Sequence, residues 1–174
     1  MESAYSSIFG EERWKKFFRT FKNAYSEFPD DILATTPISI ELYIALADEL
    51  VKEYHNGDQR ILWDFGEQAA QKALSEGGMF NVFLRNIRNP ENFIKFFQAR
   101  IWNQYYDEGR IEFELEENIL HVRLLDLQLH HIYFELTIMG YVKKTLQLVG
   151  LTVKETTKIA SSKKEIYYQF LLDF

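Results

Sequence analysis

Two hydrophobic periods divide this chain. Up to about Gly109 the apolar positions recur every three or four residues, and from Ile111 they alternate, with one helical interruption. From Gly10 to Phe28, Trp14, Phe17, Phe18, Phe21, Tyr25 and Phe28 mark one face of a helix, with Lys15, Lys16, Arg19 and Lys22 opposite. Pro29 ends it, because the residue before a proline disfavours helical geometry. Ser39 is the predicted N-cap of a second helix that buries Ile40, Tyr43, Ile44, Ala47, Leu50, Val51 and Tyr54. A turn at His55-Asn56-Gly57-Asp58 follows, with Asp58 the expected cap of a third helix from Gln59 to Ser75. That helix turns Ile61, Leu62, Phe65, Ala69, Ala73 and Leu74 inward and stops at Gly77-Gly78. A short helix is expected over Met79 to Ile87. Asn89-Pro90-Glu91 then opens a fifth helix, carrying Phe93, Phe96, Phe97, Ile101 and Tyr105 as far as Gly109.

Ile111, Phe113 and Leu115 alternate with Glu112, Glu114 and Glu116, the period-two pattern of a strand with one wet face. Leu120, Val122 and Leu124 continue it after a turn at Glu117-Asn118. A two-residue turn sets Glu116 opposite Ile119, Glu114 opposite His121 and Glu112 opposite Arg123, pairings of opposite charge worth about 0.2–1 kcal/mol each. A helix from about His130 to Val149 has two apolar faces, Ile132, Leu136, Met139, Val142, Leu146 and Val149 on one and Phe134, Ile138, Tyr141 and Leu148 on the other. Such a helix is covered on two sides. Gly66 and Gly140, each inside a predicted helix, mark places where a neighbouring backbone comes close. Leu151 to Ile159 alternates again, with Thr152, Lys154, Thr156 and Lys158 on its wet face. After a turn at Ser161 to Lys164, a last strand turns Ile166, Tyr168, Phe170, Leu172 and Phe174 inward. The expected class is α+β, an N-terminal helical half followed by a β-β-α-β-β unit with a four-stranded antiparallel sheet.

A length of 174 residues suits one domain, here 1–174, with 1–28 as an N-terminal helix or arm, 39–109 as the helical half and 110–174 as the β-β-α-β-β half. The net charge of −6, with Lys and Arg scattered, argues against a nucleic-acid partner. No run is apolar enough for a membrane span and Met1-Glu2-Ser3 opens no signal peptide, so a cytoplasmic protein is expected. The absence of Cys removes disulfides, thiolate nucleophiles and cysteine-ligated zinc at once. The 15 Phe and 10 Tyr are an excess that fills a wide core or lines a pocket.

Three groups of residues are candidates for chemistry. His121, His130 and His131, with Asp126, concentrate imidazole and carboxylate, donors suited to zinc, copper or iron. Their spacing matches no dedicated metal motif, so surface or capping histidines are the expectation. The carboxylates Asp107, Glu108, Glu112, Glu114, Glu116 and Glu117 read as a solvated sheet face rather than an acid/base pair. Ser161 and Ser162 have no base beside them in the sequence. No catalytic constellation is recognised, and the chain is expected not to be an enzyme and to need no cofactor. Phe65, Phe93, Phe97, Trp102, Met139 and Tyr141 are the candidate lining of a site for a small apolar ligand.

The succession Glu53 to Gly57-Asp58, Gly66 with Ala69 and Ala73, Asn89-Pro90-Glu91, Trp102, Tyr105-Tyr106 and Gly109, then Gly140, Leu148-Val149-Gly150 and Ile166 to Phe170, resembles a known layout. Over Ser39 to Phe174 the chain resembles an uncharacterised bacterial family first noted in myxobacteria. That family is similar to the 4-vinyl reductase-like, heme-nitric-oxide-binding-like and TRAPP-subunit folds. The resemblance implies a helical half joined to a β-β-α-β-β half and a role in small-molecule sensing or subunit assembly. Where 4-vinyl reductase-like members place metal-binding cysteines, this chain has Ala160 to Lys164. The Tyr-x-Ser-x-Arg signature of the heme-binding relatives is absent, and no histidine sits inside a predicted helix in the setting of their iron ligand. The resulting expectation is a non-catalytic sensor or adaptor domain that forms a homodimer, binds a small apolar ligand between helices and sheet, and addresses a signalling partner. The alternatives are a histidine-ligated metal or heme protein and a purely structural interaction module.

Overall fold

Three of the described helices begin where a side chain accepts from a free amide of the first turn. The computed structural model describes residues 8–29, 36–78, 80–81, 89–103 and 106–173. Its elements are α1 (Glu11–Ala24), α2 (Ile40–His55), α3 (Ile61–Leu74), α4 (Pro90–Phe96), a π-helix (Phe97–Trp102), β1 (Arg110–Glu116), β2 (Ile119–Leu125), α5 (Ile132–Leu148), β3 (Thr152–Ser161) and β4 (Glu165–Asp173). The helix expected over Met79 to Ile87, apart from Phe80 and Asn81, lies outside the described residues, as do Tyr105 and Phe174. The chain divides into two compact units, Met1–Gln59 and Arg60–Phe174. Among the described residues no helix is long and apolar enough to cross a membrane.

In the first unit, Ser39 caps α2 as predicted, its hydroxyl accepting from the Leu42 amide at 3.3 Å. Asn56 in the left-handed region (φ 52°) ends the helix. The helix expected from Gly10 to Phe28 stops at Ala24, and Phe28 is buried beyond it, edge-on to Phe18 and Phe21. Arg13 joins α1 to α2: its guanidinium donates to the Glu53 carbonyl at 2.8 Å and lies 4.7 Å from the centre of the Tyr54 ring.

The second unit holds the sheet, ordered β1-β2-β4-β3 and antiparallel throughout. The β1–β2 register is the predicted one, with Glu116 opposite Ile119, Glu114 opposite His121 and Glu112 opposite Arg123. These ion pairs do not run straight across the ladder. Arg123 meets Glu114 at 3.2 Å and Glu165 at 3.3 Å, while Glu112 pairs with Arg110. Leu120, Val122, Leu124, Ile166, Phe170 and Leu172 are buried on the face toward α5. Two β-bulges in β3, between Val153 and Glu155 and between Lys158 and Ala160, break its alternation. Lys158, expected on the wet face, consequently reaches a carboxylate beneath the sheet.

Asn89 caps α4, its Oδ1 accepting from the Asn92 amide at 2.8 Å, with Pro90 in the first turn. Asn89→Ala is expected to lower unfolding free energy by about 1 kcal/mol in urea denaturation, with Asn89→Ser recovering most of it. The expected Asp58 cap on α3 is a correction, because the N-cap position is Arg60 and no side chain caps it. The buried stripe of α3 is also rotated from expectation. It runs Leu62, Gly66, Ala70, Leu74, leaving Ala69 exposed, because α3 crosses α5 at its glycine. A Cβ on Gly66 would strike the Thr137 carbonyl, and one on Gly140 would strike the Trp63 carbonyl. The two helices therefore touch backbone to backbone at two reciprocal points. Thr137 donates to the Leu62 carbonyl at 3.1 Å, and Lys143 lies 3.3 Å from Glu67 and 5.7 Å from the Trp63 ring centre.

Candidate functional site

The aromatic excess gathers in the second unit, where α4 and the π-helix meet β1 and α5. Phe93 and Phe97 stand one helical turn apart and close with Phe113 of β1 into a cluster, with ring centres 5.2–5.7 Å apart. Tyr141 of α5 meets Phe97 edge-on at 5.8 Å. Of the six residues proposed to line an apolar site, the structure thus brings Phe93, Phe97 and Tyr141 together. Trp102 meets Tyr106 in a tilted contact at 4.6 Å, its indole N–H donating to the Gly109 carbonyl at 3.3 Å. Met139 is fully buried in α5, and Phe65 is half-buried on α3. Phe113 is the member that sequence reasoning missed, since it appeared only as one apolar position of an alternating strand. The wall carrying Phe97 and Trp102 is a π-helix of six residues. No periodicity predicted it, because apolar spacing at three and four fits an α-helix equally well.

Between α5 and the β3–β4 hairpin lies a polar cluster that the sequence did not suggest. Glu135, with its side chain only 3% exposed, accepts from the Tyr168 hydroxyl at 2.6 Å and from the Lys158 ammonium at 2.8 Å. Burial is the largest single influence on its carboxyl and would raise the pKa. Hydrogen bonds from Lys158, Ser161 and Tyr168, with the Lys158 charge, outweigh it and hold the group below its ordinary value. Burial first, then the hydrogen bond to Glu135 and its charge, push the Tyr168 phenol far above its usual range. His130 Nε2 is 3.2 Å from Ser161 Oγ, so a base does sit beside a serine after all, 31 residues away along the chain. Ser161 is also among the groups that hold the Glu135 carboxyl down, so the same hydroxyl stands between His130 and the clamp. The arrangement ties a helix to a hairpin.

On the opposite face of the sheet, His121 is 9% exposed among Glu116, Arg123, Tyr167 and Gln169. Gln169 donates to the Tyr167 oxygen at 3.1 Å, and the Tyr167 hydroxyl shares a hydrogen bond with His121 Nδ1 at 2.6 Å. The His121 Nε2 atom is buried without a hydrogen-bond partner, and the Glu116 carboxylate lies 3.5 Å away. Glu114, the expected partner, is taken by Arg123. His131 caps α5, its Nδ1 accepting from the Tyr133 amide at 3.1 Å, and His55 ends α2 edge-on to Phe9. The structure therefore does not gather His121, His130 and His131 into one site. Among the described residues no group of three or more His, Asp or Glu is placed to hold a metal ion.

No protein-family profile and no curated protein matches this chain. Solved structures do match, at the level of fold. An H-NOX protein from S. oneidensis in the Fe(II)NO ligation state aligns over 99% of this chain and 95% of its own, with TM-score 0.73 and 9% identity. The H-NOX domain of Shewanella oneidensis in the Fe(II)CO state covers 99% and 94%, with TM-score 0.73 and 11% identity. An H-NOX from Shewanella woodyi, solved with IWP-051 bound, covers 98% and 89%, with TM-score 0.69 and 9% identity. The helical half followed by a four-stranded antiparallel sheet is thus the H-NOX fold, the heme-nitric-oxide-binding-like layout that the sequence resembles.

Those H-NOX proteins are described in Fe(II) ligation states, and a heme iron needs an axial donor held between apolar walls. The imidazoles here do not fit such a group. His121 is surrounded by charged and amide side chains, His130 is exposed beside Ser161, His131 spends Nδ1 on a helix cap, and His55 stands beside the exposed turn 56–59.

Proposed function

We propose that this chain is a non-catalytic sensor or adaptor domain on the H-NOX fold. It takes a small apolar ligand among Phe93, Phe97, Phe113 and Tyr141 and passes the change to a protein partner. The observation that carries this reading is the π-helix over Phe97–Trp102 in the wall of the ring cluster. A run of i→i+5 bonds is rare, costs hydrogen-bond geometry, and recurs where function has displaced the regular helix. A ligand entering there would meet ring faces and edges and few polar groups, which restricts it to a compact apolar molecule. The Glu135 clamp supports the non-catalytic part, since its carboxylate is already taken by the Lys158 ammonium and the Tyr168 hydroxyl.

Xenon and indole are the probes. Either is expected to shift amide resonances of Phe93, Phe97, Phe113 and Tyr141 selectively, and Phe97→Trp to abolish those shifts by filling the space. If neither probe moves them and extracts of purified protein contain no apolar compound by mass spectrometry, the ligand part is wrong. Homodimer assembly and a cytoplasmic location complete the proposal. Light scattering at micromolar concentration is expected to give twice the 20.7 kDa chain mass, and a strict monomer removes the dimer. The mutual packing of Phe93, Phe97 and Phe113 favours one second reading, a structural interaction module with a filled core, for which both probes are silent.

A further inference from the structure

We infer that this chain keeps the H-NOX fold while holding no heme through a histidine, because each of its four imidazoles stands in a protein contact outside the apolar ring cluster. A matching structure (TM-score 0.59, 9% identity, 98% of this chain and 94% of its own) concerns heme redox potential and porphyrin distortion, so the cofactor is present on this fold. A porphyrin needs an imidazole or equivalent donor aimed into an enclosed apolar slot, with the other ring nitrogen fixed by a partner. This chain has no Cys, which leaves its four histidines as the common strong donors.

None meets the requirement. The aromatic cluster of the second unit, the apolar surroundings nearest to a slot, is built from Phe93, Phe97, Phe113 and Tyr141. His121 lies on the far face of the sheet from α5, with Nδ1 on Tyr167 and Nε2 facing Glu116, so a porphyrin there would rest on carboxylates. His130 joins the exposed loop before α5 to the end of β3 through Ser161. His131 presents Nδ1 to the Tyr133 amide, a job that requires that nitrogen unprotonated and pointed into the helix end. His55 is the last residue of α2, followed by exposed residues on one side and met by the Phe9 ring on the other. The imidazoles thus serve as a helix cap, a hairpin tie, a sheet-surface network and a ring contact.

The experiment is a hemin titration of the full chain, followed by absorption and by resonance Raman of the ferrous form. The expected result is either no Soret band beyond free hemin, or a weak one that survives His55→Ala, His121→Ala, His130→Ala and His131→Ala alike, with no iron–imidazole stretch. A stoichiometric, sharp Soret band that one of these substitutions removes, or an iron–imidazole stretch in the unsubstituted protein, overturns the inference. The Raman signature needs no variant, so a substitution that fails to fold leaves the question decidable. The capping job has its own readout. His131→Ala is expected to lower the thermal midpoint by a few degrees and His131→Asn to restore it, and equal midpoints for all three would overturn that assignment. This inference does not rest on the apolar-ligand reading: xenon can shift the ring cluster whether or not hemin binds.

Discussion

Gly140→Ala is expected to destabilise the protein by about 3 kcal/mol or more, although alanine is the best helix former and glycine nearly the worst. On an uncrowded helix the change would stabilise by up to about 1 kcal/mol. Here the added Cβ falls on the Trp63 carbonyl of α3, a backbone atom that cannot rotate away. Relief requires the two helices to separate, and separation loosens the other contacts of the crossing: the Thr137 bond to the Leu62 carbonyl and the Lys143 pairing with Glu67. Gly66→Ala, whose Cβ falls on the Thr137 carbonyl, is expected to cost a similar amount. Both substitutions ask for the same separation, so the double variant should cost much less than the sum of the two. Urea denaturation of the four proteins measures this coupling. Additive losses would mean that each glycine is accommodated locally.

Glu135→Ala is expected to cost about 2–4 kcal/mol, because it leaves the buried Tyr168 hydroxyl without its acceptor and Lys158 without its counter-charge. Lys158 is 51% exposed and can turn to water, which keeps the loss below that of a fully buried pair. Glu135→Gln keeps an acceptor for Tyr168 and should lose less. The same residue predicts how stability depends on acid. The folded Glu135 carboxyl titrates below its ordinary value of 4.5, so the folded state binds this proton more weakly than the unfolded chain does. Its contribution is therefore complete above that ordinary value and is lost as pH falls through the lowered folded value. Unfolding free energies measured from pH 6 downward should fall more steeply in the natural chain than in Glu135→Gln. Parallel curves would show that Glu135 is not a linked group.

Much of the candidate site was legible as composition and period, and little of it as geometry. Phe93, Phe97 and Tyr141 were recognisable as apolar positions on two helices, and the structure adds Phe113 from a strand to make them one cluster. The histidines read as one group because His130 and His131 are adjacent and His121 is near in number. A β-strand separates its faces by alternate residues and a helix start splays its neighbours, so nearness in sequence put the three imidazoles in three environments. The converse also holds. His130 meets Ser161 and Glu135 meets Lys158 and Tyr168 across 23 to 33 residues, and no local pattern encodes such pairs.

By itself the sequence determined the order of helices and strands among the described residues, the β1–β2 register, the caps at Ser39 and Asn89, and the need for close approaches at Gly66 and Gly140. These are local matters: a strand has period two, a cap lies within three residues of the amide it satisfies, and a glycine inside a helix needs a reason nearby. Only the tertiary structure decided that Gly66 and Gly140 serve one crossing, which rotates the buried stripe of α3 onto Leu62, Gly66, Ala70 and Leu74. The bulges of β3 likewise appear only once its pairing with β4 is known, and with them Lys158 turns toward a buried carboxylate. The helix from Pro90 changes to a π-helix at Phe97 without a sequence signal, because α and π turns tolerate the same side chains and packing against β1 and α5 selects between them.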